Sequence, residues 1–579
     1  MTPTKRWIIA TPDPALVAML SRELALPGPL AQVLVNRGYR DTEAAAQFLG
    51  PQLRRLEDPF ALPDMAAAVD RILVAIERHE RIVIYGDYDV DGVTSSALLW
   101  RVLRAAGGDA EVFLPHRVEE GYGLSPDGVA RCVQERRPEL LVAVDCGTSS
   151  AEEIARLRQQ GVDTVVLDHH EPSAELPECA ALVNPKRTDR TDRTDPTDPL
   201  AAVGVTFKLA HALQKRARER KLAWGQELDL REHLDLVALG TVADIVPLTG
   251  ENRILVKAGL ERLARTGKAG LRALLDVAGV RGAVSPYHVG FRLGPRLNAA
   301  GRLGDAQLAL ELLLTVDAAR ARELAETLDG HNAERQRIEE RIVQEALAQA
   351  RTERELAVER VLALSQEGWH VGVIGIVASR VVQEFYRPTV VIGLERGAGK
   401  GSCRSVAGFS MVAALEHCAA WLERFGGHEM AAGLSVTESN IPGLRRALNE
   451  YAAGVLAEED LLPRVSVDAV VRLEELDAEF FQRLGQFEPC GAGNPTPVFT
   501  VRGVSVRGAP RVVGRKHLKF AVTDGETTVE AIWWGMAGRQ LPGGPIEVAC
   551  SPGLNEYRGA ETVQLVVKDV RPAAGPSAG

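Results

Sequence analysis

From Ile82 onward the chain alternates short apolar runs with helix-patterned stretches, and three of those runs end in acids. Ile82-Val83-Ile84-Tyr85 leads into Gly86-Asp87-Tyr88-Asp89-Val90-Asp91-Gly92, Leu141-Val142-Ala143-Val144 into Asp145, and Val165-Val166-Leu167 into Asp168-His169-His170. Strand and helix alternating at this spacing predict βαβ units and a parallel sheet. The carboxyl ends of parallel strands share one edge, so these carboxylates and imidazoles converge there.

Bunched carboxylates raise one another's pKa unless a divalent cation sits among them. A carboxylate-rich set with a minor imidazole share suits Mn²⁺ or Mg²⁺ better than a thiolate-seeking ion. A set this large can hold two ions, an arrangement suited to phosphodiester hydrolysis. Each piece also has a plainer reading. Asp-x-Asp-x-Asp-Gly resembles half a calcium loop, but the twelfth position counted from Asp87 is Leu98, not an acid. A single Asp at a strand end is more often a helix cap or turn former, and adjacent histidines occur in polar turns. The three strand ends together are harder to dismiss than any one.

The 579 residues allow three to four domains. Residues 1–60 are a lead-in of short helical patterns broken by Pro12, Pro14, Pro27, Pro29 and Pro51. Thr188–Pro199 (TDRTDRTDPTDP) cannot fill a core and reads as a solvated loop. Leu234–Val246 is helical, stopped by Pro247, with Asp244 near its end. Thr327–Glu355 predicts a long helix joining two lobes, and a second α/β lobe follows over about Arg360–Tyr451. From Val465, short β-rich segments between Gly and Pro predict a small barrel, ending in a tail over Pro572–Gly579. The fold class is thus α/β, with two lobes on parallel-sheet cores joined by a long helix and a C-terminal β-barrel.

Lys and Arg total 68 against 78 Asp and Glu, a net charge of −10 that excludes coating nucleic acid through global charge and leaves local patches open. The seven Cys form no CxxC pair, which argues against zinc ribbons and disulfide scaffolds and for reduced thiols. No apolar run approaches the roughly 18 residues of a membrane helix, and no export signal is read. The expectation is a cytoplasmic monomer that does not engage membranes.

GDYDVDG (86–92), VDCG (144–147), DHH (168–170) and VADIVP (242–247), in that order, resemble the DHH superfamily of metal-dependent phosphoesterases. Within it the chain is similar to the single-strand-specific 5′→3′ DNA exonucleases, from about Leu53 onward. The resemblance implies that Asp87, Asp89 and Asp91 form a first metal-binding cluster, that Asp145 bridges two Mn²⁺ or Mg²⁺ ions, and that His169 and Asp244 complete the set. It places His170 near the scissile phosphate and Asp168 behind it as an orienting group. Many smaller relatives carry a His ahead of the paired acids, where Tyr85, Gly86 and Asp87 stand here, so the split of the three acids between ions stays open.

Gly290–Asp305 (GFRLGPRLNAAGRLGD) reads as a loop in which glycines let the backbone approach a phosphate and arginines grip it. A polar loop capping the next helix is the plainer reading, and the resemblance favours a phosphate role for Arg296, Asn298 and Arg302. Gly401-Ser402-Cys403-Arg404-Ser405 and Gly426-Gly427-His428 resemble the DHHA1 domain that accompanies DHH domains. A Gly-Ser turn beside Arg404 is expected to hold a terminal 5′-phosphate through Ser402 and Arg404, helped by Arg302; His428 joins on resemblance, its plainer reading being a core histidine.

Between Val501 and Lys519 stand Arg502, Arg507, Arg511, Arg515, Lys516 and Lys519 with no acid, and Phe520, Trp533, Trp534 and Tyr557 lie nearby. Single-strand binders pair such strips with aromatic platforms, though one of Trp533 and Trp534 must be core because strand neighbours face opposite ways. The resemblance to an OB-fold favours DNA contacts by Arg511, Arg515, Lys516 and Lys519.

The expected division is 1–60 lead-in, 61–265 DHH domain, 266–359 loop and connector helix, 360–463 DHHA1 domain, 464–571 OB-fold and 572–579 tail. The expected activity is 5′→3′ hydrolysis of single-stranded DNA in repair and recombination. Single-strand-binding protein and a recombination helicase are partners implied by resemblance alone. The alternatives are a phosphodiesterase for short oligonucleotides or cyclic dinucleotides, and a non-cleaving single-strand-binding replication scaffold.

Overall fold

The computed structural model describes residues 5–116, 120–121, 123–187, 200–352, 358–557 and 560–573. Thr188–Pro199, Glu355, the side chain of Tyr557 and all of the tail beyond Ala573 lie outside the described residues. The chain divides into two compact units. The first is Arg40–Asn332 with Leu484–Thr496; the second is Met1–Tyr39 with Ala333–Arg483 and Pro497–Gly579.

The first unit is built on a five-stranded parallel sheet in the spatial order Asp109–Phe113, Arg81–Gly86, Leu140–Val144, Asp163–Leu167, Ala181–Val183. Both faces are covered, as parallel sheets require. Ile82, Ile84, Val142, Val144 and Val165 pack into the core on one face, and Val83, Tyr85, Leu141, Ala143 and Val166 into the core on the other. Truncating one of the large fully buried residues, such as Leu141, to Ala costs about 2–5 kcal/mol. The chain runs outward from Arg81–Gly86 to Asp109–Phe113, then crosses back to Leu140–Val144. The direction of winding therefore reverses between Arg81–Gly86 and Leu140–Val144, and a crevice opens there at the carboxyl ends of the strands.

The helix after the first strand, Val90–Ala105, starts at Asp89, whose carboxylate accepts hydrogen bonds from the Asp91 and Gly92 amides at 2.8 and 3.1 Å. Gly92 is required because the loop folds back on itself: a Cβ there would lie 2.5 Å from the Asp87 carbonyl oxygen. The helix expected over Leu234–Val246 ends at Ala243 instead. Pro247 disfavours helical backbone at Val246, and Ile245 has turned left-handed, with φ 63°. The segment after it is braced by Leu484–Thr496, through a 2.8 Å hydrogen bond from the Leu248 amide to the Ala492 carbonyl. The buried Arg253 guanidinium holds that segment, donating to the carbonyls of Phe48, Gln486, Phe487, Glu488 and Pro489.

Gly290–Asp305 corrects the sequence reading. The expected loop is instead a π-helical turn, Val289–Leu293, followed by an α-helix, Gly294–Leu303. Ser285 and His288 form a capping box before it, and Pro295 stands in the first turn of the α-helix, where its missing N–H costs least. Gly301 permits close packing, since a Cβ there would meet the Tyr88 carbonyl oxygen at 3.0 Å. The long helix runs Ala318–Thr352, starting earlier than Thr327 because the Asp317 carboxylate caps the Ala319 and Arg320 amides. Its residues through Asn332 belong to the first unit and those from Ala333 to the second.

In the second unit a mixed sheet has the order Arg424–Gly427, Ala431–Thr437, Ala398–Arg404, Thr389–Glu395, Leu362–Glu367, with only the last two strands parallel. The expected Gly-Ser turn at Gly401–Ser405 is therefore corrected: Ser402, Cys403 and Arg404 lie on an inner strand of this sheet. Its glycines make room for neighbouring side chains rather than for a turn, since a Cβ on Gly401 would lie 2.8 Å from Leu434 Cδ1. The C-terminal barrel closes in the order Phe499–Val513, His517–Thr523, Thr528–Trp533, Ala560–Pro572, Ile546–Tyr557, the last strand pairing back onto the first. Strand Arg6–Ile9, within the lead-in, pairs in parallel with Arg464–Val467.

Candidate metal centre

The acids and imidazoles meet at the crevice of the first unit. Donor atoms of Asp87, Asp89 and Asp145 lie within 4.8 Å of one another, and so do those of Asp91, His169 and Asp244. A third such group, Asp145, His169 and His170, joins the two. At the junction, His169 Nε2 stands 3.2 Å from Asp145 Oδ1, 3.5 Å from Asp244 Oδ2 and 3.9 Å from Asp91 Oδ2.

Backbone contacts fix these groups. Asp91 is buried and accepts from the Ala202 and Val203 amides at 2.8 and 2.9 Å, at the start of helix Ala202–Glu219. Asp145 follows its strand directly and takes the left-handed backbone, φ 63°, which is sparsely used outside glycine. Asp244 ends its helix, its amide still bonded to the Gly240 carbonyl at 2.9 Å.

Asp168 turns inward. Its Oδ1 accepts from the His169 and His170 amides and from His170 Nδ1 at 2.7 Å, and its Oδ2 accepts from the Thr148 amide. Burial would push this carboxyl up, but the His170 contact and charge and the Thr148 amide prevail and hold it well below the usual range. For His170, burial pushes the imidazole down and the bond to Asp168 outweighs it, so its pKa is raised. Asn184 completes the support, donating to Thr148 Oγ1 and to the His170 carbonyl, each at 2.9 Å.

The metal-side carboxyls behave oppositely. Burial, reinforced by Asp91, Asp89, Asp87 and Asp244, pushes Asp145 well above the carboxylate range. Burial with Asp91 and Asp89 lifts Asp244 to about 9, and burial with Asp89 lifts Asp91 to about 7. Burial drives His169 down to about 3, so its ring is neutral, and its buried Nε2 makes no hydrogen bond. Crowded carboxylates around a neutral, uncommitted imidazole nitrogen fit a hard divalent cation such as Mn²⁺ or Mg²⁺.

The other expected residues fall in three places. Arg296 Nε pairs with Asp329 at 2.8 Å and its Nη1 donates to the Arg292 carbonyl, while Asn298 and Arg302 are half-buried on the same helix. In the second unit Arg404 Nη1 donates to Ser402 Oγ at 3.3 Å, and Cys403 between them points into the core. Helix Ile374–Phe385 begins over this pair: a Cβ on Gly375 would lie 3.0 Å from Ser402 Oγ and 3.2 Å from Arg404 Nη2. His428 is exposed rather than in the core.

In the barrel Arg511, Arg515 and Lys516 are exposed and Lys519 is half-buried. Glu530 on the adjacent strand pairs with Lys519 at 2.6 Å and Arg511 at 3.4 Å, so the strip is less purely basic than its own sequence. Phe520 and Trp533 are buried and cannot serve as platforms, whereas Trp534 is 53% exposed. Asn184, Thr148 and Gly375 were not anticipated. Nothing local marks them, since each acts on a residue distant in sequence.

Residues 81–241 match the DHH family N-terminal domain, 355–454 the DHHA1 domain and 467–569 the RecJ OB domain. The single-stranded-DNA-specific exonuclease RecJ of Dickeya dadantii is 38% identical over 570 residues, covering 95% of this chain and 96% of its own. The chain belongs to the RecJ family. The crystal structure of RecJ from Thermus thermophilus in complex with Mn²⁺ superposes with a TM-score of 0.84 at 32% identity, covering 98% of this chain and 80% of that one. RecJ from the same organism in complex with Mg²⁺ gives 0.78 at 31% identity, covering 98% and 79%. Both RecJ structures hold ions of the class that the Asp and His donors here suit. No helix among the described residues is long and apolar enough to cross a membrane.

Proposed function

We propose that this chain hydrolyses single-stranded DNA from the 5′ end with two Mn²⁺ or Mg²⁺ ions. The observation that carries the reading is the pair of donor groups, Asp87-Asp89-Asp145 and Asp91-His169-Asp244, meeting at the 3.2 Å approach of His169 to Asp145. These six residues hold the ions, which when bound activate the attacking water and stabilise charge on the leaving oxygen. His170 gives its Nδ1 proton to the bond with Asp168, so its Nε2 is the atom that meets a phosphate oxygen. Asp168, with Thr148 and Asn184 behind it, keeps that ring in place.

Ser402 and Arg404, beneath the helix start at Gly375, offer a hydroxyl and a guanidinium to a terminal 5′-phosphate, which supports the 5′ polarity. His428 is assigned to the same end of the strand. Arg511, Arg515, Lys516 and Lys519, with the exposed Trp534, support single-strand binding on the barrel. Arg296, Asn298 and Arg302 are assigned to the phosphates near the metals. The working division is 1–60, 61–265, 266–359, 360–463, 464–571 and 572–579. The chain acts as a cytoplasmic monomer in repair and recombination, with single-strand-binding protein and a recombination helicase as partners. A dinucleotide phosphodiesterase has no use for the barrel, and a non-cleaving scaffold has none for a complete ligand set.

The test is incubation with Mn²⁺ and a long single strand labelled at either end, alongside a dinucleotide and an Asp145→Ala control. Release from the 5′ label only, abolished in the control, is the expected result. Release from the 3′ label, turnover of the dinucleotide alone, or binding without cleavage would overturn it.

A further inference from the structure

Two large aromatic side chains of the first unit stand in solvent on one helical turn. Tyr287 is 59% exposed and Phe291 71%, and their rings stack at 5.0 Å between centroids with 26° between planes. They sit on the short helix Pro286–His288 and the π-helical turn Val289–Leu293, an irregular geometry that recurs at functional sites. Both rings stay largely in solvent beside their stack, the kind of surface on which bases can stack.

The charge around the pair points to the occupant. From Val277 to Gly304 the chain carries Arg281, Arg292, Arg296 and Arg302 and no Asp or Glu, in a protein whose acids outnumber its bases. Arg296 is committed to Asp329, whereas Arg281 is exposed, and the Arg292 guanidinium donates to the Gly279 carbonyl in an exposed contact at 3.3 Å. Cations close in the chain to exposed aromatic rings match the two components of single-strand binding, phosphates and bases.

The helix ties this patch to the chemistry. From Phe291 it continues through Gly294–Leu303, and Gly301 lies against the Tyr88 carbonyl, within the loop that carries Asp87 and Asp89. Ten residues of helix span about 15 Å, so the aromatic pair stands a few nucleotides from the metal loop.

We propose that Tyr287 and Phe291 form a base-stacking platform for the substrate strand, on the same compact unit as the metal centre and separate from the C-terminal barrel. This rests on the reading of the chain as a single-strand nuclease. It supplies the aromatic element that the buried Phe520 and Trp533 do not.

The test is the single-turnover rate of first nucleotide release from a 5′-labelled strand with Mn²⁺, for wild type, Tyr287→Ala/Phe291→Ala and Tyr287→Trp/Phe291→Trp. A single abasic site is walked along the strand. The Ala pair is expected to be slower by about tenfold at subsaturating strand, and the Trp pair to restore the rate. At one or two positions inside the strand the abasic site should slow the wild type toward the Ala pair and leave the Ala pair unchanged. Equal rates for wild type and the Ala pair, or the same slowing of both by every abasic site, would overturn the platform. Failure of the wild type to release any nucleotide would instead overturn the nuclease reading.

Discussion

His169 Nε2 lies 3.2 Å from Asp145 Oδ1, and this contact joins the two donor groups of the crevice. Asp145 stands in a left-handed backbone amid four other carboxylates, so it is costly to the metal-free fold, while the proposed two-ion centre makes it the shared donor. Asp145→Asn removes a carboxyl that the metal-free fold can keep only in its protonated form, and it retains a side chain that tolerates φ above zero. We predict that it raises the melting temperature in chelator while reducing nuclease activity by more than the roughly 100-fold typical of losing an outer-sphere partner. Thermal melts in EDTA, run beside rate measurements, check both signs.

Asp168 bonds His170 Nδ1 at 2.7 Å and, among the described residues, belongs to none of the three donor groups, so the proposed role is to orient His170. Asp168→Asn should lower the rate by about 10–100-fold and leave the number of bound Mn²⁺ ions unchanged. Equilibrium dialysis with Mn²⁺ separates this outcome from loss of a ligand, which would lower the stoichiometry.

The raised carboxyls set a pH dependence with a defined sign. Asp91 at about 7 and Asp244 at about 9 keep protons in the metal-free fold that the unfolded chain releases near pH 4. The stabilisation from those protons is complete below about pH 4 and is lost as pH rises through the folded values toward 9. Metal-free protein should therefore lose stability across that window from these groups. Mn²⁺ affinity should rise across it, because the ions displace the protons. Melts in EDTA and Mn²⁺ titrations at several pH values test the two trends.

Gly375 is the position at which the proposed phosphate recognition can be tested apart from the fold. A methyl there would press on Ser402 Oγ and Arg404 Nη2 at 3.0 and 3.2 Å, while Ala suits the helix better than Gly. Gly375→Ala is predicted to keep the melting temperature and to reduce the preference for 5′-phosphorylated over 5′-hydroxyl strands, read from paired initial rates.

The parts of this architecture that depend on local pattern were legible in the chain. Alternating apolar runs mark the parallel strands, and the acids at their ends mark the crevice, because a parallel sheet brings its carboxyl ends to one edge. What the pattern missed depends on contacts far apart in sequence. The four-residue strand Arg6–Ile9 exists only through Arg464–Val467, and Leu484–Thr496 joins the first unit through Arg253. Glycine density misled twice. At Gly294 and Gly301 it reflects a helix packed tightly on its neighbours, and at Gly399 and Gly401 a strand whose neighbours' side chains fill the space. The division of the acids is open from spacing alone; in the structure Asp87 and Asp89 lie with Asp145, and Asp91 with His169 and Asp244, which is the division proposed here.

The two-ion centre is the core of this account, and electron paramagnetic resonance of Mn²⁺-loaded protein tests it most directly. Two ions held roughly 3.5–4 Å apart should give a spin-coupled spectrum at two Mn²⁺ per chain, reduced in Asp244→Asn to the signal of one isolated ion. A single uncoupled Mn²⁺ per chain in the wild type would contradict it.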